Sequence, residues 1–184
     1  MNIFILDYDP VIAAQSQCDK HVVKMIVESA QMLSTAHRMM DGIIASLPSK
    51  SGKRMVKHYR LHDHREDLLY KAVHYNHPCT IWTQENRANY LWHYRHFVAL
   101  CKEYTHRYGK IHQSYHKLGH SLEDFPRNLD QSNTMTPFKL AMGQSPESIQ
   151  DNPVESYRHF YQTKQRKFKM VWSKRKTPSW FHYV

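Results

Sequence analysis

His21, Lys24, Glu28 and Gln31 follow one another at spacings of three, four and three. On a helix such spacings put all four on one face. A carboxylate and an amine on that face can act as general base and as nucleophile or phosphate clamp once a cleft withdraws them from bulk water. Asp19 and Lys20 precede the stripe by a turn or less and join the same candidate set. Asp19 and Glu28 are read as base or electrostatic stabiliser, and Lys20 or Lys24 as nucleophile or clamp. The competing reading is a solvated helix face, with Lys24–Glu28 an ordinary pair worth about 0.3–0.5 kcal/mol and Asp19 a cap. A second cluster, Asn76 and His77 beside His74 and Cys79, sits where Pro78 interrupts a helix. Helix ends present side chains to sites, so Asn76 and His77 are candidates for orienting a base or activating water. Arg107, Lys110 and His112 surround Gly109, and three cationic donors at one bend suit a phosphate. Capping the negative end of a helix explains them equally well.

Metal chemistry has weaker support. Cys18, His21, His77 and Cys79 hold the right ligand types for zinc, but the spacing is loose and the halves are far apart. His112 and His116 lack the acidic partner of a helical zinc hydrolase, and His62-Asp63-His64 lies in a charge-rich stretch that reads as a solvated helix start. No cofactor is expected, with a divalent metal such as zinc at the Cys18, His21, His77, Cys79 set kept as the alternative. The five glycines, at 42, 52, 109, 119 and 143, are too dispersed for a P-loop, a dinucleotide fingerprint or a nucleophile elbow.

Helices must carry these groups. Asn2 to Leu6 reads as one short strand, Asp9-Pro10 as a helix start, and Ser16 with Asp19 as a second, box-like start. From there the pattern predicts a helix to about Met40, with Val22, Ile26, Ala30 and Leu33 as its apolar stripe. Ser46 to Arg54 reads as an exposed loop and Asp63 to Tyr75 as a second helix, stopped at Asn76-His77-Pro78. A third helix is predicted from about Trp82 to Tyr108, ended by Gly109, and a short one over 110–118. Residues 121–153 read as a long loop around a small helix near Phe138 to Met142. A last helix runs from Asp151-Asn152-Pro153 to about Trp172. The expected fold is mainly α: one compact helical domain over 1–184 with a short N-terminal strand and a basic, aromatic C-terminal helix and tail over 153–184.

The charge balance points to the partner. The chain is 184 residues long at formal net charge +10 and 41 % hydrophobic, enough apolar content for a core. No apolar run approaches the roughly 20 residues of a bilayer span, so no membrane partner is expected. The first ten residues carry acids where a secretory leader carries lysines, and three widely spaced cysteines suit a reducing compartment. A cytoplasmic location follows as the expectation. From Ser156 to Val184 ten residues are basic or histidine and none is acidic, with Tyr, Phe and Trp interleaved. Cations neutralise phosphates and rings stack on bases. Arg158, Lys164, Arg166, Lys167 and Lys169 are therefore expected to grip a nucleic-acid backbone, DNA favoured, or a nucleotide.

The blocks CDKHVVKM at 18–25, NHPCTIW at 76–82, EYTHRYGKIH at 103–112, TPFKLAM at 136–142 and SYRHFY at 156–161 resemble those of a group of uncharacterised proteins encoded by tailed bacteriophages. The resemblance implies a phage protein acting in the infected cell's cytoplasm and carries no activity with it. The leading expectation is an enzyme removing or modifying a base in DNA, which must extrude that base to reach it. Alternatives are a metal-dependent nuclease or phosphohydrolase, a free-nucleotide enzyme, and a non-catalytic binder of nucleic acid or a host protein.

Overall fold

The computed structural model describes residues 1–49, 51–143 and 145–183. Lys50, within the predicted 46–54 loop, and Val184, at the end of the predicted tail, lie outside them. Asp9 opens α1 (Pro10–Gln15) as its Asp-Pro pair predicts, its carboxylate accepting from the Val11 and Ile12 amides. The second helix, α2 (Asp19–Asp41), carries the candidate stripe. Its box-like start does not form: Cys18 is the N-cap and makes no side-chain cap bond. The Val171 carbonyl instead takes the Asp19 amide at 2.8 Å. Val22, Ile26, Ala30 and Leu33 are buried as predicted, each such side chain contributing about 1.5–3 kcal/mol where it is large and fully covered.

Directly after α2 the chain turns at Gly42 into a two-stranded antiparallel hairpin, β1 (Ile43–Pro48) and β2 (Met55–Arg60), in register from Ile43–Arg60 to Pro48–Met55. A Cβ at Gly42 would collide with the Arg38 carbonyl and crowd Tyr59 and Arg60. The predicted 46–54 loop is the turn of this hairpin, shortened because Ser46 to Pro48 pair within β1. The expectation of a mainly α helical domain with an N-terminal strand is thereby corrected: 46 % of the chain is helical and 7 % strand, and the strands form this ribbon. Asn2 to Leu6 is not a strand because Phe4 adopts φ 56°, a left-handed conformation that interrupts any extended run. Side chains bond that segment's backbone: Asn2 Oδ1 accepts from the Phe4 amide, Gln17 donates to the Ile3 carbonyl, and Arg158 to that of Leu6.

The predicted 63–75 helix shrinks to α3 (Arg65–Leu68) for a similar reason. The Arg38 guanidinium donates to the carbonyls of Glu66, Leu69 and Tyr70, and Thr35 Oγ1 bonds both the amide and the carbonyl of Val73. These partners from α2 supplant the helical ladder. Pro78 starts a helix, α4 (Pro78–Thr83), as well as ending the preceding run, since a first-turn proline forfeits no bond. Asn86 then caps α5 (Arg87–Tyr108), so the predicted 82–108 helix is two. Gly109 closes α5 at φ 68°, and α6 (Gln113–Leu118) follows. Residues 138–142 are not helical; a short 3-10 turn occurs at Pro146–Ser148. The last helix, α7 (Pro153–Gln162), ends ten residues short of the prediction and passes through a 3-10 turn at Thr163–Arg166 into irregular chain. Clustered like charges at Lys164, Arg166, Lys167 and Lys169 oppose continuing the helix.

α5 packs along both α1 and α2. One cluster of buried apolar side chains runs from Ile3 through Met25, Trp82, Phe97 and Tyr157 to Phe181. Among the described residues no helix is long and apolar enough to cross a membrane.

Candidate functional site

The polar stripe of α2 borders a cleft of about 520 Å³, walled by the N-terminal segment, by residues 141–143 and by the end of α7. His21, Lys24, Glu28 and His77 all line it, so four of the seven catalytic candidates meet. The volume falls within the roughly 300–1,000 Å³ of small-ligand pockets.

Among the described residues Glu28 is the only carboxylate on the cleft lining. One oxygen accepts the Asn2 amide at 2.8 Å and lies 3.7 Å from the Met1 ammonium; the other lies 3.4 Å from Lys24 Nζ. The Glu28 side chain is 12 % exposed while Lys24 is 66 % exposed, so the acid is deep and the amine reaches the mouth. His77 caps α4 through Nδ1, which accepts from the Cys79 amide. Burial, then the Met1 ammonium and His74, lower its pKa from the usual imidazole value.

His21 is held by three rings. It stacks on Phe4 at 4.8 Å and meets Tyr161 and Phe168 edge-on. The Tyr161 hydroxyl accepts from the Cys18 amide and pairs with His21 Nδ1 at 2.7 Å. Burial, then Lys24 and Lys164, depress the His21 pKa to about 4. His21 is thus neutral at physiological pH. The left-handed Phe4 backbone places this ring stack on the cleft, and strain of that kind, of order 1–3 kcal/mol, gathers at ligand sites.

Lys164 and Lys167 line the mouth. Lys164 Nζ lies 3.4 Å from the centre of the Phe160 ring, and burial, then Lys167 and Lys24, lower its pKa to about 8. Lys20 stands over Phe168 at 4.7 Å, at the cleft's edge. Rings interleaved with cations are what a phosphate-bearing, base-bearing ligand requires.

The remaining candidates lie elsewhere. Asp19 receives Arg107 Nη1 at 2.8 Å and the Ser173 amide and hydroxyl. Arg107 also holds Glu103 at 2.7 Å and the Gln15 carbonyl. With Arg175 on Glu103, this network joins α1, α2, α5 and the tail; it is framework. Lys110 is exposed, and His112 caps α6 by accepting the Ser114 amide. Neither joins Arg107 in a phosphate site. Asn76 is exposed outside the cleft. Arg158 ties Leu6 and Asp7 and stacks on Trp180, whereas Arg166 and Lys169 are exposed cations.

Cys18, Cys79 and Cys101 are buried thiols with raised pKa values, Cys79 at about 11 through burial. Among the described residues no group of three or more His, Cys, Asp or Glu is arranged to hold a metal. Sequence reasoning missed Met1, Asn2, Phe4 and Phe168 as cleft residues, because apolar and amide groups near a chain end carry no spacing pattern. It placed Lys164 and Lys167 on a backbone-gripping helix, and their basic character was the usable signal. No family model, curated protein or solved structure matches the chain.

Proposed function

We propose that this is a phage-encoded enzyme that removes or modifies a base in DNA, working on one extruded nucleotide in the Glu28 cleft. The observation carrying the reading is a deep carboxylate flanked by amines beneath a mouth of lysines and rings. Glu28 accepts the proton that Lys24 sheds. The freed amine bonds the sugar C1′ as the bond from C1′ to the base breaks, and the base leaves with that electron pair and the proton. Loss of a second proton and opening of the sugar ring leave an imine on Lys24, which water hydrolyses. The neutral His21 imidazole hydrogen-bonds the base edge, and Phe168 offers a stacking surface. Lys164 and Lys167 neutralise flanking phosphates. The resemblance of its sequence blocks to those of tailed-phage proteins supports a role in the infected cell.

The test incubates the protein with phage and host DNA, followed by mass spectrometry of digested nucleosides and released bases. Borohydride added during turnover reduces the imine to a stable adduct, which peptide mapping should locate at Lys24. An unchanged nucleoside profile with no free base rejects the reading. Base release with no trapped adduct rejects the covalent step and retains the cleft.

A further inference from the structure

The β1–β2 ribbon has no part in the cleft. Residues 43–60 include five Lys or Arg and no acid. Lys53, Arg54 and Lys57 are exposed, and among the described residues no carboxylate lies within ion-pair distance of any of them. Ile44, 58 % exposed, and Met55, 61 % exposed, share with Lys57 the ribbon face set by the register. An uncovered apolar ribbon invites unwanted pairing, so its persistence beside unpaired cations calls for a partner.

The polar stripe of α2 connects ribbon and cleft. Continued from His21, Lys24, Glu28 and Gln31, the same spacing reaches Thr35 and Arg38, and Arg38 donates to the Tyr59 carbonyl at the ribbon's base. Cleft and ribbon therefore lie along one side of α2. From Glu28 to Asp41 the axis advances about 20 Å at 1.5 Å per residue. At 3.4 Å per nucleotide that is roughly six base pairs of a duplex.

The geometry points to the β1–β2 ribbon as a second DNA contact, seated on the duplex about six base pairs from the nucleotide held in the cleft. A two-stranded ribbon fits the major groove, its cations meet the flanking phosphates, and Ile44 and Met55 face base edges and methyl groups. Charge complementarity selects DNA over a second copy, because a ribbon free of acids repels its twin. This inference rests on the DNA reading above but concerns binding, not chemistry.

The experiment compares the full chain with a combined Lys53→Glu, Arg54→Glu, Lys57→Glu variant, by fluorescence anisotropy on a labelled 20-base-pair duplex across a salt series. Each lost phosphate contact removes roughly 0.9 from the log–log salt slope. A slope smaller by about two to three, with at least tenfold weaker binding at low salt, is expected. Base release from a four-nucleotide single strand, too short to span both sites, should be unchanged. A neutral Lys53→Gln, Arg54→Gln, Lys57→Gln variant, judged by the same slope criterion, serves if reversal perturbs folding. An unaltered slope overturns the ribbon contact, as does sedimentation showing the ribbon buried between two copies. Altered binding alongside a wild-type chain that releases no base supports the contact and overturns the chemistry alone.

Discussion

Arg107 Nη1 and Asp19 Oδ1 meet at 2.8 Å across 88 positions of sequence. Each satisfies the other, and Glu103 completes the neutralisation of the guanidinium at 2.7 Å. Two residues whose types suggest catalysis and phosphate binding thus spend their charges on one another. The consequence is a division of labour among ionisable groups: those of the Arg107 network lock α1, α2, α5 and the tail together, and those around Glu28 stay open to a ligand.

Arg107→Met should therefore destabilise the fold by about 3–5 kcal/mol, because Glu103 and Asp19 lose the partner that justifies their placement. Urea unfolding measures it. The turnover of the fraction still folded should match the parent. A variant of ordinary stability with no activity would move Arg107 back into the site.

Glu28→Gln keeps an acceptor for the Asn2 amide but cannot take a proton. Base release should fall by about 10²–10⁴, with a thermal midpoint near the parent's. Asp19→Asn should do the opposite, lowering the midpoint and sparing turnover.

Acid should unfold the protein through its histidines. His21, His37 and His96 each have a pKa lowered to about 4, chiefly by burial. Their neutral forms are stable in both states above about pH 6.5. As pH falls from there towards 4 the unfolded chain binds protons that the folded chain refuses, so stability drops by about 1.4 kcal/mol per pH unit for each histidine. Urea midpoints at pH 7, 6 and 5 should decline steadily; a flat series would contradict this.

Lys164 should give DNA binding an alkaline limb. Its ammonium, lowered to about 8 by burial and by Lys167 and Lys24, is charged below that pH and neutral above it. Affinity should weaken as pH rises from 7 to 9. Lys164→Arg, charged throughout, should flatten the profile.

Regular periodicity was legible and substituted backbone bonding was not. The buried stripe of α2 and the closure of α5 by Gly109 follow from spacing and from one glycine. The stretch from Leu69 to Val73 carries a helical pattern, yet its carbonyls go to Arg38 and Thr35 on α2, a competition that local sequence does not record. Asn2 to Leu6 has the composition of a strand, but among the described residues no strand pairs with it. At the site, the stripe of His21, Lys24 and Glu28 was readable because helical spacing alone assembles it. His77 joins them only through the turn before α4. Arg107 was misplaced because its charge type fits a phosphate as well as it fits two carboxylates.

The bond from the Trp172 indole to the Ser16 carbonyl spans 156 positions, and Lys164, Lys167 and Phe168 close a hollow begun by Asn2. Cover for this side of α2 therefore comes from residues far along the chain, and truncations that remove residues 164–183 should leave its apolar face bare and the remaining chain prone to aggregate.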